Sequence, residues 1–133
     1  MEVVQEIHLG FANVRLVSGG IVRLEIFGDI VIGYREAREM NDAIGIISGG
    51  KECLVLIMAD EITQFNNESM DFSASDEGLR YTIADALVVK SLAQRITANF
   101  YLAVNAPRKP SRIFNSERHA IEWLQSQQLT EKV

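Results

Sequence analysis

Cysteine, histidine, proline and long apolar runs are all scarce in this chain, and each scarcity narrows its chemistry. Cys53 is the only cysteine among 133 residues, which rules out an intrachain disulfide and a structural zinc site built on paired cysteines. No such staple is needed, because a domain of this length buries roughly two thirds of its unfolded surface. Cys53 opens an apolar run and reads as a small buried hydrophobe, which fits a reducing cytoplasm. The two histidines, His8 and His119, stand far apart and have no useful neighbour in sequence, so each reads as an ordinary surface or half-buried residue. No H-x-x-x-H, C-x-x-C, G-x-S-x-G, G-x-G-x-x-G or P-loop pattern occurs, so metal, cofactor and enzyme assignments lose their usual footholds. The chain is expected to be no enzyme and to carry no cofactor or metal.

The longest uncharged apolar run, Cys53 to Ala59, is far too short to cross a bilayer. Met1-Glu-Val-Val-Gln-Glu6 lacks the basic and apolar regions of a signal peptide. A cytoplasmic protein without membrane insertion is expected. The net charge of −5 supplies no counterion-release drive toward a phosphate backbone, so nucleic acid is not an expected partner.

What is present is clear periodicity. From Ala12 to Phe27 apolar and polar residues alternate around Ser18-Gly19-Gly20, predicting a β-hairpin with one apolar face. Val3 to Leu9 adds an edge strand. From Gly33 the period lengthens, and Ala37, Met40, Ile44 and Ile47 form one stripe of a helix that Gly49-Gly50 ends. Cys53 to Met58 is apolar throughout, as in a central strand covered on both faces, and Ala86 to Val89 repeats the pattern. Between these strands, Glu68 to Tyr81 reads as a helix anchored by Met70, Phe72, Leu79 and Tyr81. Ser91 to Asn105 reads as one capped helix, with Ser91 and Gln94 as its capping box and Leu92, Ile96, Phe100 and Val104 as its core stripe. A short strand at Ser111 to Phe114 and a last helix from about Asn115, burying Ala120, Ile121 and Leu124, complete the order. It predicts one α/β domain over 1–133. Its mixed β-sheet has an N-terminal antiparallel hairpin, followed by βα crossovers that set the later strands parallel.

The string Asn99-Phe100-Tyr101, Asn105, Pro107, Pro110, Arg112, Phe114 and Glu122-Trp123-Leu124 resembles that of small bacterial proteins with SpoIIAA-like, STAS/Sec14-type domains, most of which have no assigned activity. The order of elements extends the resemblance over nearly the whole chain, while only the last third matches as a motif. The resemblance implies a SpoIIAA-like fold and a regulatory or interaction role. In STAS domains of the anti-sigma antagonist type, the loop after the central strand carries an aspartate, a phosphorylatable hydroxyl and a glycine at the start of a helix. The matching stretch here is Thr63 to Met70, which places Asn66 and Asn67 at the aspartate and phosphoacceptor positions, with Glu68 and Ser69 following. No ungapped match supplies both a hydroxyl and the glycine, so the phosphoswitch is not expected, with Ser69 and Thr63 the nearest hydroxyls.

Three further groups draw attention. Arg108, Lys109 and Arg112, stiffened by Pro107 and Pro110 and preceded by Asn99 and Asn105, form a candidate surface for an acidic partner on an otherwise acidic protein. Asp60 and Glu61 follow the central strand, where α/β sites form, and read first as a solvated acidic face. Phe100, Tyr101, Phe114 and Trp123 are expected to cluster as packed core. The function expected from all of this is a non-catalytic regulatory domain that binds a protein partner, or a second copy of itself. The alternatives are a carrier or sensor of a small apolar or anionic ligand and, third, an enzyme using the carboxylates after the central strand.

Overall fold

Alternation between Ala12 and Phe27 produces the hairpin that it predicts. β1 (Val3–His8), β2 (Ala12–Val17) and β3 (Ile21–Ile26) run antiparallel, and Val17 pairs with Ile21 across the turn. Gly19 and Gly20 take φ of +94° and +80° there, a region that glycine enters without steric penalty. The computed structural model of the chain describes residues 2–132, with side chains described through residue 128. After the hairpin come β4 (Val31–Ile32), α1 (Tyr34–Ile47), β5 (Cys53–Ala59), β6 (Gln64–Phe65) and α2 (Asn67–Ala74). They are followed by β7 (Thr82–Val88), α3 (Leu92–Phe100), β8 (Ser111–Phe114) and α4 (Glu117–Lys132).

The main sheet has the order β1-β2-β3-β5-β7-β8, parallel from β3 onward, and β4 and β6 form a separate parallel pair. Each parallel strand is added on the same side of the one before it. Right-handed crossovers therefore place α1, α2 and α3 on one face and leave the other to α4. The first face buries Val14, Val22, Leu24 and Val55 against Met40 and Ile44. The second buries Leu54, Leu56, Ala84 and Ala86 against Ala120 and Leu124. Beyond α4, the antiparallel end of that second face is covered by ion pairs, Glu6 with Arg15, Arg15 with Glu25, and Arg23 with Glu25 and Glu117.

Two boundaries differ from the periodic reading. The helix expected from Glu68 to Tyr81 stops at Ala74, because Ser75 turns extended and bonds Phe72 O through its hydroxyl while accepting from Gly78 N. Gly78 then lies so close to α2 that a Cβ would stand 2.0 Å from Phe72 O. The strand expected from Ala86 begins earlier, at Thr82, and so includes Asp85.

The helix expected from Ser91 to Asn105 also changes. It is α-helical to Phe100 and widens into a π turn over Tyr101–Asn105. Ala106 closes that turn in the left-handed region, at φ of 46°.

Candidate ligand-binding cleft

The face that α3 turns to the sheet creates the most distinctive feature of the molecule. Leu92, Ile96, Phe100 and Val104, expected as its core stripe, are instead 72, 61, 47 and 63 % exposed. Long-range polar contacts set this rotation. The Gln94 side-chain amide donates to Ala59 O at 3.1 Å and Asp60 O at 3.0 Å, while its oxygen accepts from Lys90 N. Ser91 Oγ accepts from Gln94 N, half of the expected capping box, and the Gln94 side chain serves Lys90 and the β5 end instead of the cap residue. Farther along, Tyr101 is buried, and Asn105 Nδ2 donates to Asp71 Oδ1 at 2.8 Å, tying the π turn to α2.

With Gln94 facing inward, Ala93, Thr97, Ala98 and Tyr101 also face the sheet, and the first three are too short to fill the space beneath them. A cleft of about 660 Å³ results, between α3, α2 and the C-terminal ends of β3, β5 and β7. Such a volume is in the range of small-molecule sites. Its floor is mainly apolar, with Leu24, Ile26, Ile57, Ala59, Leu87 and Val88 contributed by the sheet. Ile57 and Leu87 are the partly exposed positions in the second halves of β5 and β7, and both line this cleft.

One carboxylate lies deep in it. Asp85, 7 % exposed, stands on β7 between Val55 of β5 and Ser111 of β8, and accepts a hydrogen bond from the Ser111 hydroxyl. Burial pushes its carboxyl up to about 6, and the Ser111 bond holds it down against that rise. Burial, and then the charge of Asp85, push the Tyr101 phenol upward in turn. The other charged wall residues, Asp29 and Glu61, are exposed at the rim, and no lysine, arginine or histidine among the described residues lines the cleft. A lone carboxylate inside the apolar run Thr82-Ile-Ala-Asp-Ala-Leu-Val88 was the sequence signal for this site, since an unpaired buried charge is costly to keep. Starting the strand at Ala86 hid it.

Of the candidate functional residues singled out by sequence, Glu61, Thr63, Ser69 and Tyr101 line the cleft, and the rest are placed elsewhere. Asn66 caps α2 by accepting from Ser69 N at 2.9 Å, and Asn67 opens the helix on its exposed side. Ser69 is buried, donates to Asn66 O and lines the cleft. Thr63, also buried, donates to Gly28 O. Arg108 pairs with Asp76 at 2.7 Å and Lys109 with Glu52 at 2.9 Å, while the Arg112 guanidinium lies 5.3 Å from the centre of the Phe114 ring. Asn99 is exposed on α3. Asp60 accepts from Gly28 N at 2.8 Å, stapling the β5 end to the loop after β3.

The expected aromatic cluster is divided: Phe114 and Trp123 pair at 5.7 Å on the α4 face, Tyr101 lies across the sheet and Phe100 is exposed. Both histidines are exposed, and Cys53 is buried with its thiol pushed up to about 12, which leaves it inert as a nucleophile. No group of residues among those described is arranged to hold a metal ion, and no described helix is long and apolar enough to cross a membrane.

A six-stranded mixed sheet with an antiparallel beginning, three crossover helices on one face and a terminal helix on the other is a SpoIIAA-like α/β fold. The chain belongs to a family described as Domain of unknown function (DUF7793), whose model matches residues 15–128. An uncharacterised protein of the DUF3478 family from Shewanella loihica PV-4, described as having a SpoIIAA-like fold, is similar over 90 % of both chains. Its TM-score is 0.53 and its identity 10 %, so the likeness concerns the fold. A protein of unknown function from Arthrobacter sp. FB24 is 23 % identical over 84 % of this chain and 96 % of its own, with a TM-score of 0.29. No curated protein matches the chain.

Proposed function

We propose that this chain is a non-catalytic binding domain whose cleft takes a small, mainly apolar molecule. The observation that carries this function is the inversion of α3. A helix that turns Ala93, Thr97 and Ala98 toward an apolar sheet, and its large side chains away, leaves room that packing would otherwise fill. Among the described residues no histidine, lysine or cysteine lines the cleft, which supports binding over turnover. Filling the cleft tests this function directly. Ala98→Leu, whose added side chain enters free space, is expected to abolish binding of a neutral apolar dye such as Nile red without lowering the thermal midpoint. Dye binding unchanged by Ala98→Leu would place the dye elsewhere and remove the cleft as its site.

A protein partner remains the second function, and one observation favours it. Leu92, Ile96, Phe100 and Val104 form a continuous apolar ridge on the outside of α3, the i, i+4 arrangement that partner grooves accept. Arg108, Lys109 and Arg112 follow it in the chain, the first two paired with Asp76 and Glu52. Ile96→Lys together with Phe100→Lys is expected to remove co-purifying proteins from a native lysate while leaving dye binding in place. The same co-purifying set from both versions would count against a docking role.

A further inference from the structure

The cleft has a charge preference as well as a shape. Its wall carries Asp29 and Glu61 at the rim and Asp85 at the floor, and no cationic side chain among the described residues offsets them. Asp85 is the decisive member, because a carboxylate buried among Val55, Leu87 and Tyr101 has given up its water and holds one protein hydroxyl, that of Ser111. A charged donor from a ligand would restore what burial removed, through a charge-assisted hydrogen bond. A carboxylate or phosphate ligand would instead meet like charge at the rim and again at the floor.

The length of the space can also be read from the strand. Asp85 lies three residues before Val88 at the C-terminal end of β7, a depth of about 10 Å at about 3.3 Å per residue. Leu87, Ile57 and Leu24 stand side by side in one apolar row across the sheet, two residues nearer its C-terminal edge than Asp85.

We propose that the cleft binds an aliphatic or arylalkyl amine, with its ammonium on the Asp85 carboxylate and its apolar body along Leu87, Ile57 and Leu24. The assignment rests on the cleft being a ligand site and specifies which ligands it selects. The neighbours of Asp85 leave it as the titrating anchor. β5 brings Val55 beside it, β8 brings Ser111, the π turn brings the Tyr101 phenol, and α2 brings Ser69, Met70 and Ser73 to the wall. Asp29 and Glu61 are the remaining titratable groups, both at the rim. Amine affinity therefore rises with pH as the Asp85 carboxyl ionises near 6, while the affinity of an uncharged ligand stays flat.

Octylamine, octanol and octanoate share a chain of about this length and differ only in the head group. Their displacement of Nile red from the full chain, followed from about pH 5 to about pH 8, tests the assignment. At the upper pH octylamine is expected to outcompete octanol by about tenfold or more, with octanoate weakest, and the amine preference is expected to shrink as pH falls. Asp85→Asn, close in shape and able to accept from Ser111, is expected to reduce the preference to about twofold or less while keeping octanol affinity. The pH series on the unaltered chain gives the same answer without relying on the variant to fold. Equal displacement by all three, or an amine preference that persists at low pH and in Asp85→Asn, overturns the ligand class and leaves the cleft as an apolar site. No dye binding that Ala98→Leu can remove overturns the cleft itself, and the ligand class with it.

Discussion

Asp85 concentrates the tension between stability and use in one side chain. Its carboxyl stands at about 6 in the folded chain against an ordinary 3.8, so the folded state holds the proton more tightly than the unfolded state. Stability should therefore be highest below about pH 4 as far as this group is concerned, and should fall as pH rises through about 6, by about 3 kcal/mol at most. Asp85→Asn is expected to be more stable than the unaltered chain by about 1–3 kcal/mol near pH 8 and nearly equal to it near pH 4, as urea unfolding at the two values will measure. A pH-independent difference would mean that the carboxyl is not held protonated by burial. Gly78 is a second residue with one clear consequence. Since a Cβ there would meet the Phe72 carbonyl at 2.0 Å, Gly78→Ala must push α2 away from the turn, and a loss of about 2 kcal/mol or more is expected in the same measurement.

Among the elements, β5 and α3 make opposite cases. Leu56 is fully buried in the centre of the sheet, so Leu56→Ala is expected to cost about 2–5 kcal/mol. Ile96 and Phe100 are just as apolar, yet both side chains face outward, and Ile96→Lys with Phe100→Lys is expected to shift stability by less than about 1 kcal/mol. A loss as large as that of Leu56→Ala would show the α3 ridge packed in solution. The contrast arises from composition. In β5 every position is apolar, so no rotation of the strand exposes a polar group. In α3 both faces carry apolar residues, large on one and small on the other, and Gln94 bonded to Ala59 O and Asp60 O decides between them.

Across the whole molecule, the hydroxyls nearest the STAS phosphoacceptor position are withdrawn from solvent. Ser69 and Thr63 are 2 and 5 % exposed and donate to the Asn66 and Gly28 carbonyls, while Asn67 presents an amide at the exposed start of α2. Intact-mass analysis after expression beside the native kinases is expected to find no stoichiometric phosphate on either residue, and its presence would restore the switch. The basic residues after α3 knit distant parts together, since Arg108 reaches Asp76 after α2 and Lys109 reaches Glu52 before β5. The first pair is open to water and the second is half-buried on its Lys109 side, and each contributes little. Replacing Arg108, Lys109 and Arg112 with alanine is therefore expected to move the thermal midpoint by only a few degrees, as a melting curve will check.

Element order, the hairpin, the α1 stripe and the apolar centre at β5 were legible in the sequence because each depends on neighbours a few residues away: alternation, i, i+4 spacing and paired glycines at a turn. The likeness of the last third to SpoIIAA-like domains pointed to the same fold. The cleft was not legible. Its existence depends on how α3 is rotated, which is set by a glutamine bonding carbonyls 34 and 35 residues earlier in the chain and by an asparagine reaching Asp71 across 34 residues. Periodicity identifies a stripe but not what faces it, so Leu92, Ile96, Phe100 and Val104 read as core until the β5 end was in place to hold Gln94. Asp85 shows the same limit from the other side. Its charge was plain in the sequence, but that it would be sealed beneath α3, with Ser111 as its one hydrogen-bonding side chain, was decided by the pairing of β7 with β8 and by the small residues that α3 turns inward.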